Sequence, residues 1–331
     1  MRFGIISTAG IAQTAVIPAI RASEHEVVAI ASRDGSTAEA VAADFDVPRA
    51  YDDYGDLLAD DDVEAVYNPL PNALHAEWTR KAADAGMDVL CEKPFASDRA
   101  EAAATLEYCR DRGVTVMEAF MYRFHPRTER ALEVARTDLE DVHTVAGEFH
   151  FSMGERTDDI RLDPALDGGS VMDVGCYPIS AARQFLGRPD RAYAWTVDRR
   201  DSGVDTEMAA VLEYDDGSVA RVASGFDTPK SQRYRVEAAN GWLAVEDAFD
   251  APDDRDLQLV YEVDGERTVE TFDPVDQYRL QVEQFAAVAE AGATPRVDAE
   301  ETLDTMAIID AIYRSADEGV PVDVESGRDR G

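Results

Sequence analysis

The sequence predicts an α/β chain with an N-terminal doubly wound parallel sheet, followed by an α+β domain whose open sheet is mainly antiparallel. Three observations support this prediction. Up to about residue 120, short β-rich runs alternate with segments of helical periodicity. A glycine-containing turn joins the first of these runs to the first helical segment. From about residue 143, alternating apolar and polar runs are separated by Asp-Gly and Asn-Gly turns, which are typical of hairpins.

The N-terminal part is predicted to contain strands over 2–7, 26–32, 63–68, 88–91 and 114–119, and helices over 11–20, 36–45, 73–86 and 98–113. Near-continuous apolar strands between helices indicate a parallel sheet covered on both faces. Right-handed crossovers then make it a nucleotide-binding fold of the Rossmann type. We expect residues 1–120 to form this dinucleotide-binding domain.

The rest of the chain, residues 121–331, is expected to form the domain for substrate binding and oligomerisation. Its predicted strands cover 143–153, 191–199, 206–214, 218–225, 232–239, 257–262 and 268–273, and its helices 173–186, 277–291 and 299–316. We expect the C-terminal helix to pack back on the first domain. The last residues, 325–331, are expected to fray.

Composition narrows the class of protein. The 331 residues carry 68 acidic and 32 basic side chains, a formal charge of −36, which disfavours nucleic acid as a partner. No run of about 18 apolar residues predicts a membrane span, and the first residues do not resemble a signal peptide. These features favour a cytoplasmic enzyme. Acids are spread along the whole chain and lysine is nearly absent, which favours a high-salt cytosol over a merely acidic protein.

Metal and disulfide chemistry are not predicted. Cys91, Cys109 and Cys176 are unevenly spaced, form no CxxC motif and have apolar or aromatic neighbours, so we expect buried thiols. The five histidines form no HxxxH or HExxH pair. We therefore expect no structural metal.

The first strand-to-helix turn reads GIISTAGIA from Gly4 to Ala12. A dinucleotide fold expects G-x-G-x-x-G/A here, so that the backbone can approach a pyrophosphate at the helix N-terminus. Ser7 and Ala9 stand in place of the first two glycines, but both are small, and the hydroxyls of Ser7 and Thr8 can bond phosphate. The predicted pyrophosphate residues are Ser7, Thr8, Ala9, Gly10, Ile11 and Ala12.

The end of the second strand predicts which dinucleotide binds. An acidic residue here would bind the ribose 2′-hydroxyl of NAD. The strand instead ends in Ser32-Arg33, and a guanidinium suits a 2′-phosphate. We expect NADP rather than NAD, with a solvated turn and Asp34 on the ribose as the alternative.

Two further segments follow strands of the parallel sheet and should face the cofactor, because ligands bind beyond the carboxyl ends of such strands. They are Asn68 to His75 (NPLPNALH) and Glu92-Lys93-Pro94. Lys93 is notable because the chain has only two other lysines, Lys81 and Lys230. The predicted contacts are Asn68, Pro69, Leu70, Asn72, His75, Glu92, Lys93 and Pro94. For His75, a helix-cap role is the alternative.

The Glu-Lys-Pro after a strand resembles the hallmark of the Gfo/Idh/MocA oxidoreductase family. Two more segments are similar to that family: GGSVMDVGCYP from Gly168 to Pro178, and EAFMYRFHP from Glu118 to Pro126. Tyr177, where many members have histidine, resembles the branch that contains glucose–fructose oxidoreductase, dimeric dihydrodiol dehydrogenase and NADP-dependent D-xylose dehydrogenases.

This resemblance implies site residues, chemistry and assembly. It implies Lys93, Asp173 and Tyr177 as catalytic residues that also contact substrate, Arg161 as a further substrate contact and Arg123 as a cofactor contact. It also implies a cis Lys93–Pro94 bond and a homodimer or homotetramer joined through the C-terminal sheet.

The implied reaction is hydride transfer between nicotinamide and C1 of an aldose such as D-xylose or D-glucose. Tyrosine, with an ordinary pKa of ~10, becomes a better base beside an ammonium, so we expect Tyr177 to carry the proton and Lys93 to supply the charge. Lys93 as the base itself is the alternative. There are two alternative functions. One is oxidation or reduction of another polyol, diol or inositol-like substrate, and the other is a non-catalytic role as a cofactor-sensing regulator.

Overall fold

The computed structural model describes residues 1–325, so most of the tail expected to fray lies outside the described residues. The chain forms two compact units. The first contains Met1–Phe124 and Asp276–Thr302, and the second contains His125–Val275 and the chain from Leu303 onward. Within residues 1–325, no helix is long and apolar enough to cross a membrane.

The first unit is built on a six-stranded parallel sheet with the order β3-β2-β1-β4-β5-β6, the order of a Rossmann fold. Its strands are β1 (Arg2–Ile6), β2 (Glu26–Ala31), β3 (Arg49–Tyr51), β4 (Ala65–Asn68), β5 (Asp88–Cys91) and β6 (Val116–Glu118). Five of these strands are almost wholly buried because helices cover both faces, whereas the edge strand β3 is half-buried.

The α-helices of this unit are α1 (Ile17–Arg21), α2 (Gly35–Asp44), α3 (Tyr54–Leu58), α4 (His75–Asp84), α5 (Arg99–Asp111) and, from the later chain segment, α8 (Gln277–Ala291). A π-helical turn (Ala12–Val16) precedes α1, and short 3₁₀ helices cover Asn72–Leu74 and Met121–Phe124. Helix α8 packs into the core of the first unit, where the rings of Phe285 and Phe3 lie 6.0 Å apart.

The second unit contains a nine-stranded mixed sheet in the order β14-β13-β12-β11-β7-β10-β9-β8-β15. Its strands are β7 (Val142–Ser152), β8 (Arg191–Val197), β9 (Glu207–Glu213), β10 (Val219–Gly225), β11 (Asp227–Ala238), β12 (Gly241–Glu246), β13 (Leu257–Val263), β14 (Glu266–Phe272) and β15 (Val322–Asp323). Only β7 and β10 pair in parallel among these strands.

The helices of the second unit are α6 (Pro126–Thr137), α7 (Cys176–Leu186) and most of α9 (Ala299–Glu318). Helix α7 packs on one face of the sheet, against β7, β10 and β11. Gly147 allows this packing, because a Cβ there would lie 3.0 Å from Cβ of Pro178. The opposite face is exposed at Tyr193 and Trp195.

The predicted fold class is confirmed, but five strands and α-helices are absent from the prediction: β3, β12, β15, α3 and α6. Strand β3 has only three residues, and β12 follows directly from the Asn240-Gly241 turn that marks its hairpin with β11. Helix α6 begins at Pro126, and a proline at the first helical position is a start signal that the sequence had offered.

Candidate active site

The turn after β1 keeps a glycine-like backbone although serine occupies it. Ser7 has φ +117°, and its N–H donates to the carbonyl oxygens of Ile5 (3.2 Å) and Ala31 (3.1 Å). Gly10 is exposed and a Cβ there would meet nothing within 4 Å. The segment Thr8–Ile11 then leads into the π-helical turn, so this stretch has the form of a dinucleotide turn despite its missing glycines.

At the end of β2, Ser32 is buried and Arg33 is exposed. Asp34 caps α2: its Oδ1 accepts hydrogen bonds from the Ser36 hydroxyl (2.6 Å) and from the N–H groups of Ser36 (3.0 Å) and Thr37 (3.3 Å). These bonds, the Ser36 hydroxyl foremost, lower the pKa of Asp34. One oxygen of the carboxylate that could have bound a ribose hydroxyl is thus engaged in holding the helix start.

The segment after β4 is anchored from inside the first unit. Asn68 is fully buried, and its Nδ2 donates to the His75 carbonyl oxygen at 3.1 Å. His75 is also fully buried, with Nδ1 2.7 Å from the Pro94 oxygen and Nε2 2.7 Å from the Leu70 oxygen. His75 therefore ties the Leu70 loop to the turn that contains Lys93. Its direct contact with cofactor stays a prediction, as does that of the buried Pro69 and the half-buried Asn72.

The Glu92-Lys93-Pro94 turn follows β5. The Lys93–Pro94 peptide bond is cis, as the family resemblance implied. Tyr67 Oη donates to Glu92 Oε1 at 2.7 Å, and the Lys93 N–H donates to Glu92 Oε2 at 3.3 Å. Lys93 itself is half-buried. The glutamate thus fixes the backbone of the lysine that follows it.

Arg123 is buried within the first unit. Its Nη1 forms an ion pair with the Glu301 carboxylate, and its Nη2 donates to the Arg296 carbonyl oxygen at 3.1 Å. The guanidinium therefore joins the chain after β6 to the start of α9. The predicted contact of Arg123 with cofactor remains untested.

In the second unit, the Gly168-Gly169 pair allows close backbone approach. A Cβ on Gly168 would lie 2.5 Å from the Arg161 carbonyl oxygen, and one on Gly169, which has φ +118°, 2.3 Å from Asp205 Oδ1. Asp205 is positioned to cap the following helix, because its Oδ2 accepts from Ser170 Oγ (2.7 Å) and from the Val171 N–H (2.8 Å). The π-helical turn Val171–Gly175 and helix α7 continue from there.

Asp173 and Tyr177 lie on this π-turn and on the first turn of α7. Asp173 Oδ2 accepts from Arg161 Nε at 2.8 Å, and Arg161 Nη1 donates to Asp159 Oδ1 at 3.1 Å. Asp173, and to a lesser degree Asp159, raise the pKa of Arg161 above its ordinary value. Arg161 thus remains charged between two carboxylates and orients the one on Asp173.

The Tyr177 ring is buried against aromatic side chains. Its centroid lies 5.4 Å from that of Phe149 and 5.5 Å from that of Phe249. Phe249 is in turn fixed by Gln232, whose Oε1 accepts from the Phe249 N–H at 3.0 Å. This packing restricts the tyrosine ring, which suits a residue that must present its hydroxyl in one direction.

Each unit therefore brings together part of the predicted set. In the first, sheet register aligns Asn68 with Cys91 and Cys91 with Glu118, so the segments after β4, β5 and β6 are neighbours. In the second, Arg161, Asp173 and Tyr177 belong to one folded region. The supporting residues Asp159, Asp205 and Glu118 were not predicted from the sequence. The chain has 68 acidic residues, and the sequence does not show which of them are buried.

The remaining expectations concern thiols and metals. Cys91, Cys109 and Cys176 are buried, as predicted for thiols. Across residues 1–325, no group of three or more His, Cys, Asp or Glu side chains is arranged to hold a metal ion.

Fold and turns together define an oxidoreductase of the dinucleotide-binding class. Residues 1–120 match the family model "Oxidoreductase family, NAD-binding Rossmann fold", and residues 133–244 match the GFO/IDH/MocA C-terminal domain. The chain belongs to the Gfo/Idh/MocA oxidoreductase family.

The chain is similar to other oxidoreductases over nearly its whole length. It is 56% identical over 325 residues to the D-xylose 1-dehydrogenase (NADP(+)) 2 of Haloferax volcanii, covering 98% of this chain and 100% of that one. A crystal structure of a 3-ketoreductase from Actinomadura kijaniata with NADP and TDP-benzene matches with TM-score 0.90 and 31% identity over 95% of this chain and 97% of that one. The aldose-aldose oxidoreductase of Caulobacter crescentus matches with TM-score 0.90 and 27% identity over 98% and 99%.

Proposed function

We propose that this protein is an NADP-dependent aldose 1-dehydrogenase that oxidises the C1 hydroxyl of a neutral sugar such as D-xylose. The observation that carries the proposal is the 56% identity to a D-xylose 1-dehydrogenase (NADP(+)) along the full length of both chains. The chain also has the lysine, aspartate and tyrosine that the chemistry needs, each at the end of a strand or on the first turns of a helix.

The residues at the end of β2 support NADP over NAD. Arg33 is exposed there and can pair with a 2′-phosphate, whereas the Asp34 carboxylate caps α2. The turn from Ser7 to Ala12, with its glycine-like backbone at Ser7, is the segment we assign to the pyrophosphate. These features fit the cofactor. The further cofactor contacts that we propose are the segment Asn68 to Asn72, His75, the Glu92-Lys93-Pro94 turn and Arg123.

In the proposed mechanism, Tyr177 Oη accepts the proton of the sugar hydroxyl while a hydride leaves the carbon that bears this hydroxyl. When bound, NADP⁺ supplies the hydride acceptor. The Lys93 ammonium hydrogen-bonds the reacting oxygen, which stabilises its developing negative charge. Asp173, oriented by Arg161, accepts a hydrogen bond from a substrate hydroxyl. A carboxylate of ordinary pKa ~4 is a poor base for an alcohol, which favours the tyrosine for proton transfer.

A second candidate function is oxidation or reduction at another sugar carbon. The 32% identity, over 96% of each chain, to a dTDP-3,4-didehydro-2,6-dideoxy-alpha-D-glucose 3-reductase of Actinomadura kijaniata supports this alternative. Other polyols, diols and inositol-like substrates belong to the same candidate.

We propose that residues 1–120 bind the dinucleotide and that residues 121–331 bind the substrate and form the oligomer interface. The second unit's exposed sheet face supports the assembly. A concavity of about 700 Å³ on this face is lined by small residues (Ala146, Ala209 and Ala223) and by the aromatic residues Tyr193 and Trp195. Exposed apolar area of this kind usually marks an interface. We propose a homodimer or homotetramer joined face to face through this sheet.

A high-salt cytosol is the proposed working environment. The charge of −36 with only three lysines supports it, as does the relative from Haloferax volcanii. Salt screens the self-repulsion of such a surface to a Debye length of ~3 Å at 1 M. The circular dichroism spectrum of the folded protein and the enzyme activity should therefore both be lost on dialysis to ~0.1 M salt and kept at ~2 M salt. Full activity at the lower concentration would contradict the proposal.

The function itself is tested with purified protein in molar salt. Cofactor reduction is measured with D-xylose, D-glucose, myo-inositol and a diol, each with NADP and with NAD. We expect the highest kcat/KM with an aldose and NADP, and a lactone or the corresponding acid as product. Reduction of NADP only with a non-aldose substrate would replace this proposal by the second candidate.

A further inference from the structure

Glu118 is a buried acid that the proposed mechanism does not use. Its side chain is 1% exposed, and it ends β6 in register with Cys91, the residue before Glu92. A carboxylate removed from water is unfavourable unless hydrogen bonds or an opposite charge compensate it. Its position places it at the carboxyl edge of the parallel sheet, beside the turn that contains Lys93.

The two oxygens of Glu118 bond two different segments of the first unit. Oε1 accepts from the Phe95 N–H at 2.9 Å, and Oε2 accepts from the Thr302 hydroxyl at 2.7 Å. Phe95 is fully buried and directly follows the Lys93–Pro94 bond. Glu118 therefore fixes the peptide on the far side of that bond.

Lys93 is thus placed between two anchored points. Before it, Tyr67 holds the Glu92 carboxylate, and Glu92 accepts from the Lys93 N–H. After it, Glu118 holds the Phe95 N–H, and His75 lies 2.7 Å from the Pro94 oxygen. The side chain of the lysine extends from this fixed backbone.

Glu118 and Lys93 also interact electrostatically. Burial raises the pKa of Glu118 to about 8, while the hydrogen bonds from Thr302 and Phe95 and the charge of Lys93 oppose the rise. The charged or titratable groups that face it are Glu92 and Lys93 at the end of β5 and the Cys91 thiol within β5, whose pKa burial raises well above its ordinary value. Helix α9 contributes the neutral Thr302 hydroxyl.

We propose that Glu118 is a positioning residue for Lys93, which holds the peptide after Pro94 and so sets where the ammonium meets the reacting oxygen. The proposal rests on the proposed function, because it requires Lys93 to act in the reaction. A displacement of about 1 Å at a reacting group can cost ~10²-fold in rate, so a residue that touches neither substrate nor cofactor can control turnover in this way.

Two variants of Glu118 separate its hydrogen bonds from its charge. Glu118→Leu removes both, and we expect kcat to fall ~10- to 100-fold while the dissociation constant for NADP, measured by protein fluorescence, changes less than about threefold. Glu118→Gln can keep both hydrogen bonds but has no ionisation. We expect it to retain kcat within about threefold at its optimum. We also expect the wild-type turnover–pH profile to have a step near pH 8, where Glu118 ionises, and the Glu118→Gln profile to lack it.

The matched control is Glu107→Gln, the same chemical change on the exposed surface of α5, which should leave the pH profile as in the wild type. A folded Glu118→Leu with wild-type kcat would overturn the proposal. Where that variant does not fold, Glu118→Gln decides: loss of the step near pH 8 supports the proposal, and an unchanged profile overturns it.

Lys93→Met, assayed in parallel, distinguishes failure of this inference from failure of the proposed function. An active Lys93→Met removes the lysine from the proposed mechanism and with it the positioning role, whereas a wild-type protein inactive on every aldose contradicts the proposed function. An inactive Lys93→Met together with wild-type behaviour in both Glu118 variants overturns the positioning role alone.

Discussion

Arg161 holds Asp173 through a hydrogen bond of 2.8 Å from Nε to Oδ2, and the same guanidinium reaches Asp159 at 3.1 Å. This partner fits the role that we propose for Asp173, which is to accept a hydrogen bond from a substrate hydroxyl, better than the role of a base. The pair also connects a surface loop to the π-helical turn before α7, so that the position of one depends on the other.

Arg161→Met should therefore impair sugar oxidation without weakening cofactor binding. The Asp173 carboxylate loses its orienting partner, and we expect kcat/KM for the sugar to fall ~10- to 100-fold, since hydrogen bonds to charged groups contribute about 1.5–3 kcal/mol. Steady-state kinetics with varied sugar, together with fluorescence titration of NADP, measures both effects. The control Arg156→Met removes an exposed guanidinium that lies 3.8 Å from Oδ2 of the same Asp159. Equal losses in both variants would argue against an orienting role.

Tyr177→Phe should cost ~10²–10⁴-fold in kcat, the usual effect of losing a proton-transfer group. The aromatic packing against Phe149 and Phe249 is retained, so NADP affinity and the melting temperature should stay near wild type. Tyr214→Phe is the matched control: within the described part of the chain, the buried Tyr214 hydroxyl has no hydrogen-bond partner. If Tyr177→Phe keeps its rate and pH profile while Lys93→Met is inactive, Lys93 is the base.

Arg33→Ala should raise KM for NADP and leave KM for NAD nearly unchanged. The reason is that only NADP has the 2′-phosphate with which a guanidinium at this position would pair, and each tenfold change in preference corresponds to ~1.4 kcal/mol. Initial rates with both cofactors at saturating sugar give the ratio. Arg21→Ala, which removes an exposed arginine at the end of α1 in the same unit, serves as the control. A wild-type preference for NAD would end the hypothesis.

Glu118→Gln should stabilise the protein, and more so at alkaline pH. The pKa of Glu118 is about 8 in the folded chain against an ordinary 4.5, so between these values the folded chain holds a proton that the unfolded chain has released. Wild-type stability from this group therefore decreases as pH rises through that window, and glutamine removes the decrease. Thermal melts from pH 5 to pH 8.5 should show a difference from wild type that grows with pH. A constant difference would contradict the raised pKa.

Trp195→Glu should disrupt assembly. Trp195 and Tyr193 are 53% and 49% exposed on the open face of the nine-stranded sheet, and a charge placed there would be buried without a partner in a face-to-face dimer. Light scattering in molar salt should give an oligomer for wild type and a smaller species for the variant. Val320→Glu changes an apolar residue with similar exposure outside this sheet and should leave the mass unchanged. A monomeric wild type at micromolar concentration would contradict the assembly.

The sequence predicts most of this fold because most strands and helices show a local period. The parallel sheet and the placement of Lys93 after β5 follow from that alternation and from a single family motif. The supporting residues could not be predicted in the same way. Asp205 caps a helix more than thirty residues earlier in the chain, and Glu118 bonds Thr302 from a distant segment. Such pairs depend on tertiary folding, and no local pattern distinguishes their carboxylates from solvated ones.

The φ of +117° at Ser7 bears on how enzymes of this kind are found in sequence collections. Glycine adopts such a torsion readily, whereas a residue with a side chain does so at a cost. Here the carbonyl oxygens of Ile5 and Ala31, which both accept from the Ser7 N–H, help to hold the serine in place. A search that requires glycine at this turn would pass over the chain although its backbone bends in the same way. At this one turn, the backbone torsion angle is more informative than the residue letters.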